Sequence, residues 1–395
     1  MLAAPDKFCI PYSMTQPQRI AILGATGSIG RSGLDVVRAI DGLEVFAISG
    51  RSQLDLLVQQ AQEFNPKYVV AVDPSAAAKF DFQTSAEVLI GAEHLKTIAC
   101  HPEVDTVLAS IVGFAGLESA LAAVECGKRL ALANKETLVV GGHLITAAAA
   151  KSDSEILPVD SEHSAIFQAI QSGKRSDVKK IVLTASGGPF REFRSDEMHG
   201  VTVEQALNHP TWEMGRKISV DSATMMNKAL EIIEAKWLFD ISADQIEVVI
   251  HPQSLIHSMV TFADHSTMAQ MSPPDMRLPI QYALTWPDRV AGPAVDFDFS
   301  VAQQLDFHPP DFDRFPALEL GFEVARVGGS SGAVVNAANE AAVEAFLNRK
   351  LSFTDIVSAC REVLEQHNFE SHPTFEQLVA ADGWARQEIT KWITA

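Results

Sequence analysis

The chain has 395 residues, which is too long for one ordinary hydrophobic core, so two or three domains are expected. Apolar residues make up 47% and charged residues 21%, a balance that is typical of globular proteins and excludes a disordered chain. The formal net charge of −19 repels nucleic acid and anionic membranes at long range. Neither is therefore expected as a partner, and local basic groups must hold any phosphate-bearing ligand.

The amino-terminal residues and the cysteines predict a cytoplasmic, bacterial protein. Residues 1–18 include charged side chains and lack an apolar segment, so we interpret them as an extension and not as a secretory signal. The uncharged run 137–150 is too short to cross a bilayer and predicts a buried helix. No CxxC pair and no zinc-binding spacing occurs, which favours a reducing compartment for the four cysteines, Cys9, Cys100, Cys126 and Cys360.

A glycine-rich loop near the amino terminus predicts a dinucleotide site. A strand over 19–23 leads into GATGSIG, with glycines at positions 24, 27 and 30, and then into a helix expected over 31–40. In such a unit the first glycine makes the tight turn, the second lets a pyrophosphate approach the backbone, and the third lets helix pack on strand. The pyrophosphate would lie at the helix start, beside Thr26, Ser28 and Ile29.

The end of the second strand, expected over 44–49, predicts which dinucleotide binds. Sites that select NAD usually carry an acidic residue here, which binds the ribose 2′-hydroxyl. This chain has Gly50, Arg51 and Ser52 instead. Because a guanidinium can pair with a 2′-phosphate and a hydroxyl can donate to it, we expect NADP(H).

Further strands predict a doubly wound parallel sheet of the Rossmann-like type. They are expected over 68–72, 88–90, 104–111 and 129–133, and they alternate with helical stretches. The last of them runs into Asn134, Lys135 and Glu136 at the carboxyl edge, where such sheets bind ligands. A plain helix start would show the same residues.

An acidic pair after the next strand is a candidate metal site. The strand expected over 156–159 delivers Asp160, Ser161 and Glu162. Carboxylates are hard ligands suited to Mg²⁺ or Mn²⁺, and residues i and i+2 of an extended backbone point to the same side. The alternative is a helix N-cap. A third carboxylate, Glu231, would complete the metal site.

The segment HPTWEMGRKISVDSATMMNKALE, residues 209–231, is expected to form a strand, a loop and a helix. Apolar residues at 226, 230, 233 and 237 define one helical face, and Asn227, Lys228 and Glu231 share the opposite face. With Ser222, these polar groups would hold a phosphate near the helix start. The alternative is an ordinary solvated face.

The remaining segments predict a lid, a hairpin and a helical carboxyl-terminal region. A strand over 180–185 runs into SGGP, which is either an anion-binding nest or a plain loop. His209, followed by Pro210, and Trp212, between that proline and Gly215, suggest a mobile lid over 205–216, although a buried tryptophan anchor is equally compatible. Strands are expected over 247–250, 256–262 and 267–271, the last two as a hairpin. About four helices follow a linker rich in proline and aspartate.

Six motifs in order carry a family resemblance. With GATGSIG, ANKE, PVDSEH, SGGPF, HPTWEMGRKISVDSATMMNK and NAANE, the chain from residue 19 onwards closely resembles the 1-deoxy-D-xylulose 5-phosphate reductoisomerases. The resemblance implies an α/β homodimer. Its parts would be an NADPH-binding Rossmann-like domain (19–155), an α/β catalytic domain with the lid (156–290), a linker (291–313) and a carboxyl-terminal helical bundle (314–395) with no direct role in the chemistry.

The resemblance also implies an activity. This is the rearrangement and reduction of 1-deoxy-D-xylulose 5-phosphate to 2-C-methyl-D-erythritol 4-phosphate in the non-mevalonate isoprenoid pathway, with NADPH and Mg²⁺, Mn²⁺ or Co²⁺. A retro-aldol and aldol pair and an α-ketol shift are both compatible with the residues present. Two departures touch no ligand-bearing position: residues 168–179 form a short segment, and Ala229 stands where glycine is common.

Site residues are implied by the same resemblance. The metal ligands would be Asp160, Glu162 and Glu231, and the catalytic residues Lys135, Glu162, His209 and Glu231. The substrate would contact Lys135, Ser161, Glu162, Ser186, His209, Trp212, Ser222, Asn227, Lys228 and Glu231. NADPH would contact Thr26, Gly27, Ser28, Ile29, Gly50, Arg51, Ser52, Asn134, Glu136 and Gly215.

Two other functions fit parts of the pattern. An NADP-dependent semialdehyde dehydrogenase has a similar plan, but it needs a nucleophilic cysteine in the catalytic domain, where this chain has none. A non-catalytic NADP(H) sensor would use the dinucleotide domain alone. Such a sensor has no need for a carboxylate trio and a phosphate site together.

Overall fold

A seven-stranded parallel sheet forms the first part of the structure, a computed structural model that describes residues 17–212 and 214–394. Residues 1–16, most of the expected extension, lie outside the described residues together with Cys9. The strands are β1 (Gln18–Leu23), β2 (Leu43–Gly50), β3 (Tyr68–Ala71), β4 (Glu87–Ile90), β5 (Thr106–Ala109), β6 (Arg129–Leu132) and β7 (Ile156–Pro158).

The strand order β4-β3-β2-β1-β5-β6-β7 confirms the doubly wound Rossmann-like topology. The order reverses between β1 and β5, so a crevice opens at the carboxyl edge there. Helices cover both faces: α1 (Ser28–Ala39), α2 (Leu54–Phe64), α3 (Pro74–Ala77), α4 (Glu93–Ala99), α5 (Leu117–Glu125) and α6 (Glu136–Ser152). Because β7 pairs with β6, the sheet continues three residues beyond the domain boundary predicted at 155/156, and that division stays a prediction.

The glycine-rich loop has the geometry that its sequence predicts. Gly24 has φ +96°, and a Cβ there would lie 2.9 Å from the carbonyl oxygen of Ser110. A Cβ on Gly30 would lie 2.3 Å from the carbonyl oxygen of Gly24, so helix and loop touch at this point. Helix α1 begins at Ser28, three residues earlier than expected, with Gly27 as its N-cap. The loop therefore points the first turn of α1 at the crevice.

A second sheet of four strands carries the middle of the chain. The strands are β8 (Val178–Ala185), β9 (Ile246–Ile250), β10 (Ile256–Phe262) and β11 (Thr267–Met271), in the order β11-β10-β8-β9. β10 and β11 are antiparallel, which confirms the expected hairpin. The helices of this region are α7 (Ser161–Ile170), α8 (Val203–Leu207), α9 (Arg216–Ala223), α10 (Met226–Phe239) and α11 (Arg277–Thr285). Helix α11 returns to the first sheet, where Ile280 and Leu284 join its core.

The structure corrects the strand expected in residues 209–231 and excludes the solvated-face alternative. Residues 216–223 form helix α9 and not a strand. Side chains spaced four apart stabilise that helix, since Lys217 pairs with Asp221 and Ser219 Oγ donates to the carbonyl of Gly215. In α10 the polar face is not solvated, because Lys228 and Glu231 are 3% and 0% exposed. A helix buried on both faces belongs to a core, and its charged residues need partners there.

The carboxyl-terminal helices share a core with the middle of the chain. They are α12 (Ala317–Val327), α13 (Ser331–Leu347), α14 (Asp355–Gln366) and α15 (Phe375–Thr394), which confirms the expected helical bundle. A Cβ on Gly321 would lie 2.6 Å from the Cα of Ala229, and one on Gly332 would lie 2.0 Å from the carbonyl oxygen of Val139. These close approaches seat α12 on α10 and α13 on α6. No helix of the described residues has the length and apolar character needed to cross a membrane.

The structure joins Cys100 and Cys126 in a disulfide, with a Cα–Cα distance of 5.5 Å. This differs from the expectation of reduced, unpaired cysteines. The two residues follow the last turns of α4 and α5, which lie side by side on the sheet. A separation of 26 residues matches no metal or redox motif, so only the packing of the two helices brings the sulfur atoms together.

Candidate active site

A cavity of about 620 Å³ lies between the carboxyl edge of the first sheet and the second sheet. Its size falls in the range of ligand sites. Most of the residues implied for the site line it: Ser28, Ile29, Asn134, Lys135, Glu136, Asp160, Ser161, Glu162, Ser186, His209, Trp212, Gly215, Ser222, Asn227 and Lys228. Thr26, Gly27, Gly50, Arg51 and Ser52 lie outside the lining, along the loops that follow β1 and β2, and Glu231 lies fully buried behind the wall.

Three carboxylates meet at one end of this cavity. Oxygen atoms of Asp160, Glu162 and Glu231 all lie within 4.8 Å of one another. Asp160 is the N-cap of α7 and Glu162 lies in its first turn, so the helix-start alternative and the metal-site hypothesis apply to the same residues. Glu231 comes from α10, 69 residues beyond Glu162 in the chain. The tertiary fold therefore completes the cluster that the sequence suggested.

Two buried lysines neutralise part of this charge. Lys135 Nζ lies 3.2 Å from Glu231 Oε1 and also pairs with Asp160. Lys228 Nζ lies 2.7 Å from Glu162 Oε1 and also pairs with Glu231. Three carboxylates against two ammonium groups leave one negative charge. An oxygen donor set of this kind, with net negative charge, fits a divalent cation such as Mg²⁺ or Mn²⁺.

The local charges move the pKa values of two of the carboxyls in opposite directions. Burial and the charge of Glu162 raise the pKa of Glu231 to about 7. Burial also acts to raise the pKa of Glu162, but Lys228 and Lys135 outweigh it and hold that pKa well below its usual range. Because Glu162 is the more exposed of the two and has its own lysine, we expect it to stay ionised at neutral pH.

A neutral pair, His163 and Glu234, lies next to the carboxylate cluster and contacts the backbone of Glu231. His163 Nε2 donates to the backbone carbonyl of Glu231 at 3.0 Å, and its Nδ1 faces Glu234 Oε2 at 3.2 Å. Burial lowers the pKa of His163 to about 4, and burial raises the pKa of Glu234 well above its usual range. With Asp160 these two residues form a second oxygen and nitrogen group, but it carries only one charge. The trio of carboxylates is therefore the better candidate for a cation site.

The SGGP loop after β8, a candidate anion-binding nest, contains two glycines at positive φ. Gly187 and Gly188 have φ of +82° and +67°, a conformation that favours glycine. Gly188 N donates to Ser186 Oγ at 3.2 Å. A Cβ on Gly188 would lie 2.6 Å from the carbonyl oxygen of Ser222, so this loop and the end of α9 are in contact. Ser186 and Ser222 thus lie on two adjacent segments of the cavity wall.

His209 and Trp212, the residues expected on a lid, line the cavity near Ser186. His209 Nδ1 accepts from the backbone N–H groups of Thr211 and Trp212 at 3.2 and 3.0 Å, so its Nε2 carries the proton and donates to Ser186 Oγ at 3.0 Å. Burial and the charge of Arg191 lower the pKa of His209, which keeps this tautomer neutral. The Trp212 ring meets the His257 ring edge-on, with centroids 6.3 Å apart.

Lys217, Asp221 and His257 are among the cavity-lining residues that received no role from the sequence. Lys217 and Asp221 lie within the quoted HPTWEMGRKISVDSATMMNK motif, where a lysine and an aspartate four residues apart were the available signal. His257 is an isolated histidine on β10, which gives no pattern at all. Only the packing of β10 against the lid brings it to the cavity.

Comparison with known proteins agrees with this geometry. Models of the family "1-deoxy-D-xylulose 5-phosphate reductoisomerase" match residues 20–142, and models of its carboxyl-terminal domains match residues 156–239 and 271–388. A reductoisomerase of Rhodopirellula baltica is 50% identical and covers 93% of each chain, and one of Pseudomonas aeruginosa is 49% identical over 96% of this chain and 99% of its own. The chain belongs to the 1-deoxy-D-xylulose 5-phosphate reductoisomerase family.

Solved structures of the reductoisomerase family have the same fold. The Zymomonas mobilis enzyme in complex with NADPH has a TM-score of 0.88 at 44% identity, covering 96% of this chain and 99% of its own. A reductoisomerase in complex with NADPH, fosmidomycin and magnesium has a TM-score of 0.90 at 41% identity, covering 95% and 98%. The fold class expected from the sequence is thereby confirmed.

The carboxylate trio leads to a prediction about metal binding. Glu231→Gln keeps the shape of the side chain but removes the excess negative charge, so we expect Mn²⁺ to bind about tenfold more weakly or worse. Titration calorimetry or the spin signal of free Mn²⁺ measures this without any substrate. Glu247→Gln is the matched control, since Glu247 is an exposed glutamate on β9 that pairs with Lys180. Equal Mn²⁺ affinity in both variants would show that the trio is not the metal site.

Proposed function

We propose that this chain converts 1-deoxy-D-xylulose 5-phosphate to 2-C-methyl-D-erythritol 4-phosphate, a step of non-mevalonate isoprenoid synthesis, with NADPH and a divalent cation. Family membership over nearly the whole length supports this proposal. The observation that carries it for this chain is one cavity that joins the dinucleotide loop, the carboxylate trio and the SGGP nest. A reduction of a phosphorylated sugar that depends on a metal ion needs all three.

We assign the metal to Asp160, Glu162 and Glu231. When bound, the ion supplies Lewis-acid polarisation of the substrate's carbonyl oxygen. Lys135 Nζ pairs with Asp160 and Glu231 and donates a hydrogen bond to Asn227 Oδ1 at 2.9 Å. These contacts hold its ammonium group in a fixed position beside the metal site. That placement suits a donor to substrate oxygens, and Ser161 at the start of α7 offers a hydroxyl on the same side. Lys135, Glu162, His209 and Glu231 are the proposed catalytic residues.

The substrate phosphate is assigned to Ser186, Ser222, Asn227 and Lys228. Two hydroxyls, an amide and an ammonium beside paired left-handed glycines form a site for an anion. Lys228 pairs with Glu162 and Glu231, so replacing this lysine would disturb the proposed metal site as well as the proposed phosphate site. Ser222 pairs with no carboxylate among the described contacts, which makes it the cleaner position for testing phosphate binding.

The lid is proposed to exclude water from the reacting carbons. His209 ties the lid to Ser186, and Trp212 lies against His257 at the cavity wall. Water kept away from an aldehyde intermediate cannot hydrate it, and electrostatic contacts are stronger in a dry site. The phosphate contacts and a contact with the Trp212 ring would together hold the substrate in one orientation.

NADPH is assigned to the crevice at the first sheet. Thr26 and the N-cap Gly27 lead into the first turn of α1, which begins with Ser28 and Ile29 and where backbone N–H groups favour the pyrophosphate. Gly50, Arg51 and Ser52 would meet the 2′-phosphate. Asn134, Glu136 and Gly215 line the opposite side of the cavity. Asn134 Nδ2 donates to the carbonyl of Gly113 at 2.9 Å, which fixes the loop after β5 at the crevice.

The rival dehydrogenase lacks a usable nucleophile among the described cysteines. Cys100 and Cys126 form a disulfide on the outside of the first sheet. Cys360 lies fully buried in α14, and burial raises the pKa of its thiol far above neutral. None of these three cysteines offers a site for a thioester intermediate, so the reductoisomerase activity is favoured.

A second copy of this chain is the proposed partner. Large apolar side chains of the linker are exposed, including Phe299 at 77% and Val301 at 57%, and β11 is an open edge strand of the second sheet. An open edge and apolar residues together suit a self-complementary contact. Light scattering should give the mass of a homodimer, and a monomer mass at micromolar concentration would contradict this proposal. A cytoplasmic location stays a prediction.

The activity itself is tested by NADPH absorbance. We expect loss of absorbance only when the protein, 1-deoxy-D-xylulose 5-phosphate and Mg²⁺ or Mn²⁺ are all present, with one methylerythritol phosphate formed per NADPH oxidised. Chelator should stop the reaction, and re-added metal should restore it. Binding of NADPH without turnover under these conditions would favour the sensor and sink the proposed activity.

Cofactor preference tests the assignment of Arg51. The Arg51 guanidinium is exposed just after the end of β2, and no acidic residue stands at positions 50–52. Arg51 can therefore contact a 2′-phosphate. Arg51→Ala should lower the ratio of kcat/KM for NADPH to that for NADH by on the order of tenfold, because solvent weakens an exposed charge pair. Arg38→Ala, which removes an exposed arginine at the far end of α1, should leave the ratio unchanged. An unchanged ratio in Arg51→Ala refutes the assignment.

A further inference from the structure

A partly buried lysine, Lys217, with a side chain that is 20% exposed, joins the proposed lid to the helix that follows Lys135. Lys217 lies in the first turn of α9, two residues beyond Gly215 at the end of the lid. Its Nζ donates to Glu136 Oε1 and to Asp221 Oδ2, both at 2.9 Å. Glu136 is the first residue of α6 and directly follows Lys135. One ammonium group thus connects the end of the lid with the carboxyl edge of the first sheet.

The carboxyl-terminal domain extends this connection. The other oxygen of Asp221, Oδ1, accepts from Asn339 Nδ2 at 2.8 Å. Asn339 belongs to α13 and to the NAANE motif, and it is fully buried. A continuous chain of hydrogen bonds therefore runs from α13 through Asp221 and Lys217 to Glu136. The helical bundle, which has no expected role in the chemistry, reaches the cavity wall through this chain.

The burial of these charges makes the connection stiff. Asp221 and Glu136 are 1% and 7% exposed, and Lys217 is the ammonium that both carboxylates share. Breaking a buried ion pair leaves an unpaired charge in a medium of low dielectric constant, which costs far more than breaking a surface pair. Each partner consequently holds the others in one geometry.

Positions of the binding groups depend on this geometry. Ser222, an assigned phosphate ligand, is the residue after Asp221 on α9, and its carbonyl meets Gly188 of the nest. Gly215, an assigned cofactor contact, is the N-cap of the same helix. A shift of α9 would move both. A shift of Glu136 would move the segment that carries Lys135 and Asn134.

We propose that Lys217 is a positioning residue, which fixes α9 and the end of the lid against α6, and that Asn339 makes the carboxyl-terminal domain part of the same support. The inference rests on the proposed function, because it takes the assigned substrate and cofactor contacts as the groups that are positioned. Through the hydrogen bond of Asn339, the helical bundle would contribute to substrate binding as well as to packing.

Steady-state kinetics of two lysine variants give the first test. Lys217→Met removes the shared ammonium and should lower kcat/KM by on the order of tenfold to a hundredfold, with most of the loss in the KM values of the sugar phosphate and NADPH. Lys217→Arg keeps a charged donor and should recover most of that loss. Equal loss in both variants, or a loss confined to kcat, would overturn the positioning role.

Two asparagines of the same helix give a matched comparison. Asn339→Ala removes the contact to Asp221, whereas Asn336→Ala removes an equally buried amide that donates to Glu340 within α13. Amide hydrogen exchange of residues 216–224 in the ligand-free protein is the readout, so the result does not depend on turnover. We expect the melting temperature to fall by a similar amount in both variants. Only Asn339→Ala should show faster amide exchange over residues 216–224 and raised KM values.

The outcomes separate this inference from the proposed function. If the parent chain shows no turnover, the proposed function fails, and the exchange measurement still decides whether Asn339 holds α9. If Lys217→Met does not fold, the neutral variant Asn339→Ala carries the test, since it leaves every charge paired. Identical exchange over residues 216–224 in Asn339→Ala and Asn336→Ala would overturn the proposal even in an active enzyme.

Discussion

The burial of charge at the carboxyl edge of the first sheet is the constraint on which the rest of this structure depends. Three carboxylates and two ammonium groups meet at one end of the cavity, and Glu231, Lys228 and Lys135 are nearly inaccessible to solvent. An ion buried alone is strongly unfavourable, so every member needs its partners in place. The segments that supply them, the ends of β6 and β7 and the first two turns of α10, must therefore be held rigidly with respect to one another.

Packing around α10 provides that rigidity. The helix is enclosed by α6 and α12, and close approaches at Gly321 and Gly332 bring the carboxyl-terminal helices against it and against α6. Interiors packed at this density transmit small displacements, because they contain little free volume to absorb them. The helical bundle thus supports the site without contributing a side chain to the carboxylate cluster.

The cavity is built from both regular and irregular segments. The groups proposed to bind metal and dinucleotide lie on strand ends and helix starts, whereas the proposed lid contributes His209 and Trp212 from a segment with little regular structure between α8 and α9. A lid must open for the substrate, so its contacts have to be few and its ends well anchored. The hydrogen bond from His209 to Ser186 at one end and the Lys217 pairs at the other fit that requirement.

Local sequence patterns were sufficient to predict the first sheet, the glycine-rich loop, the hairpin of β10 and β11, and the three carboxylates that the fold brings together. Each of these has a short-range physical cause: alternating apolar residues, glycine at a positive φ, or carboxylates that follow a strand. No strand forms in the described part of residues 209–231, because side chains spaced four apart, such as Lys217 and Asp221, stabilise helix α9 there instead.

Only the tertiary structure decided which polar residues are buried and which partners they have. Lys228 and Glu231 have the composition of a solvated helix face, and nothing near them in the chain shows that α6 and α12 would enclose it. The pairs of Lys135 with Glu231 and of Asp221 with Asn339 join residues about a hundred positions apart. Periodicity reports only on neighbours within a few turns, whereas burial depends on what the rest of the chain packs against that face, so these contacts could not be read from the sequence.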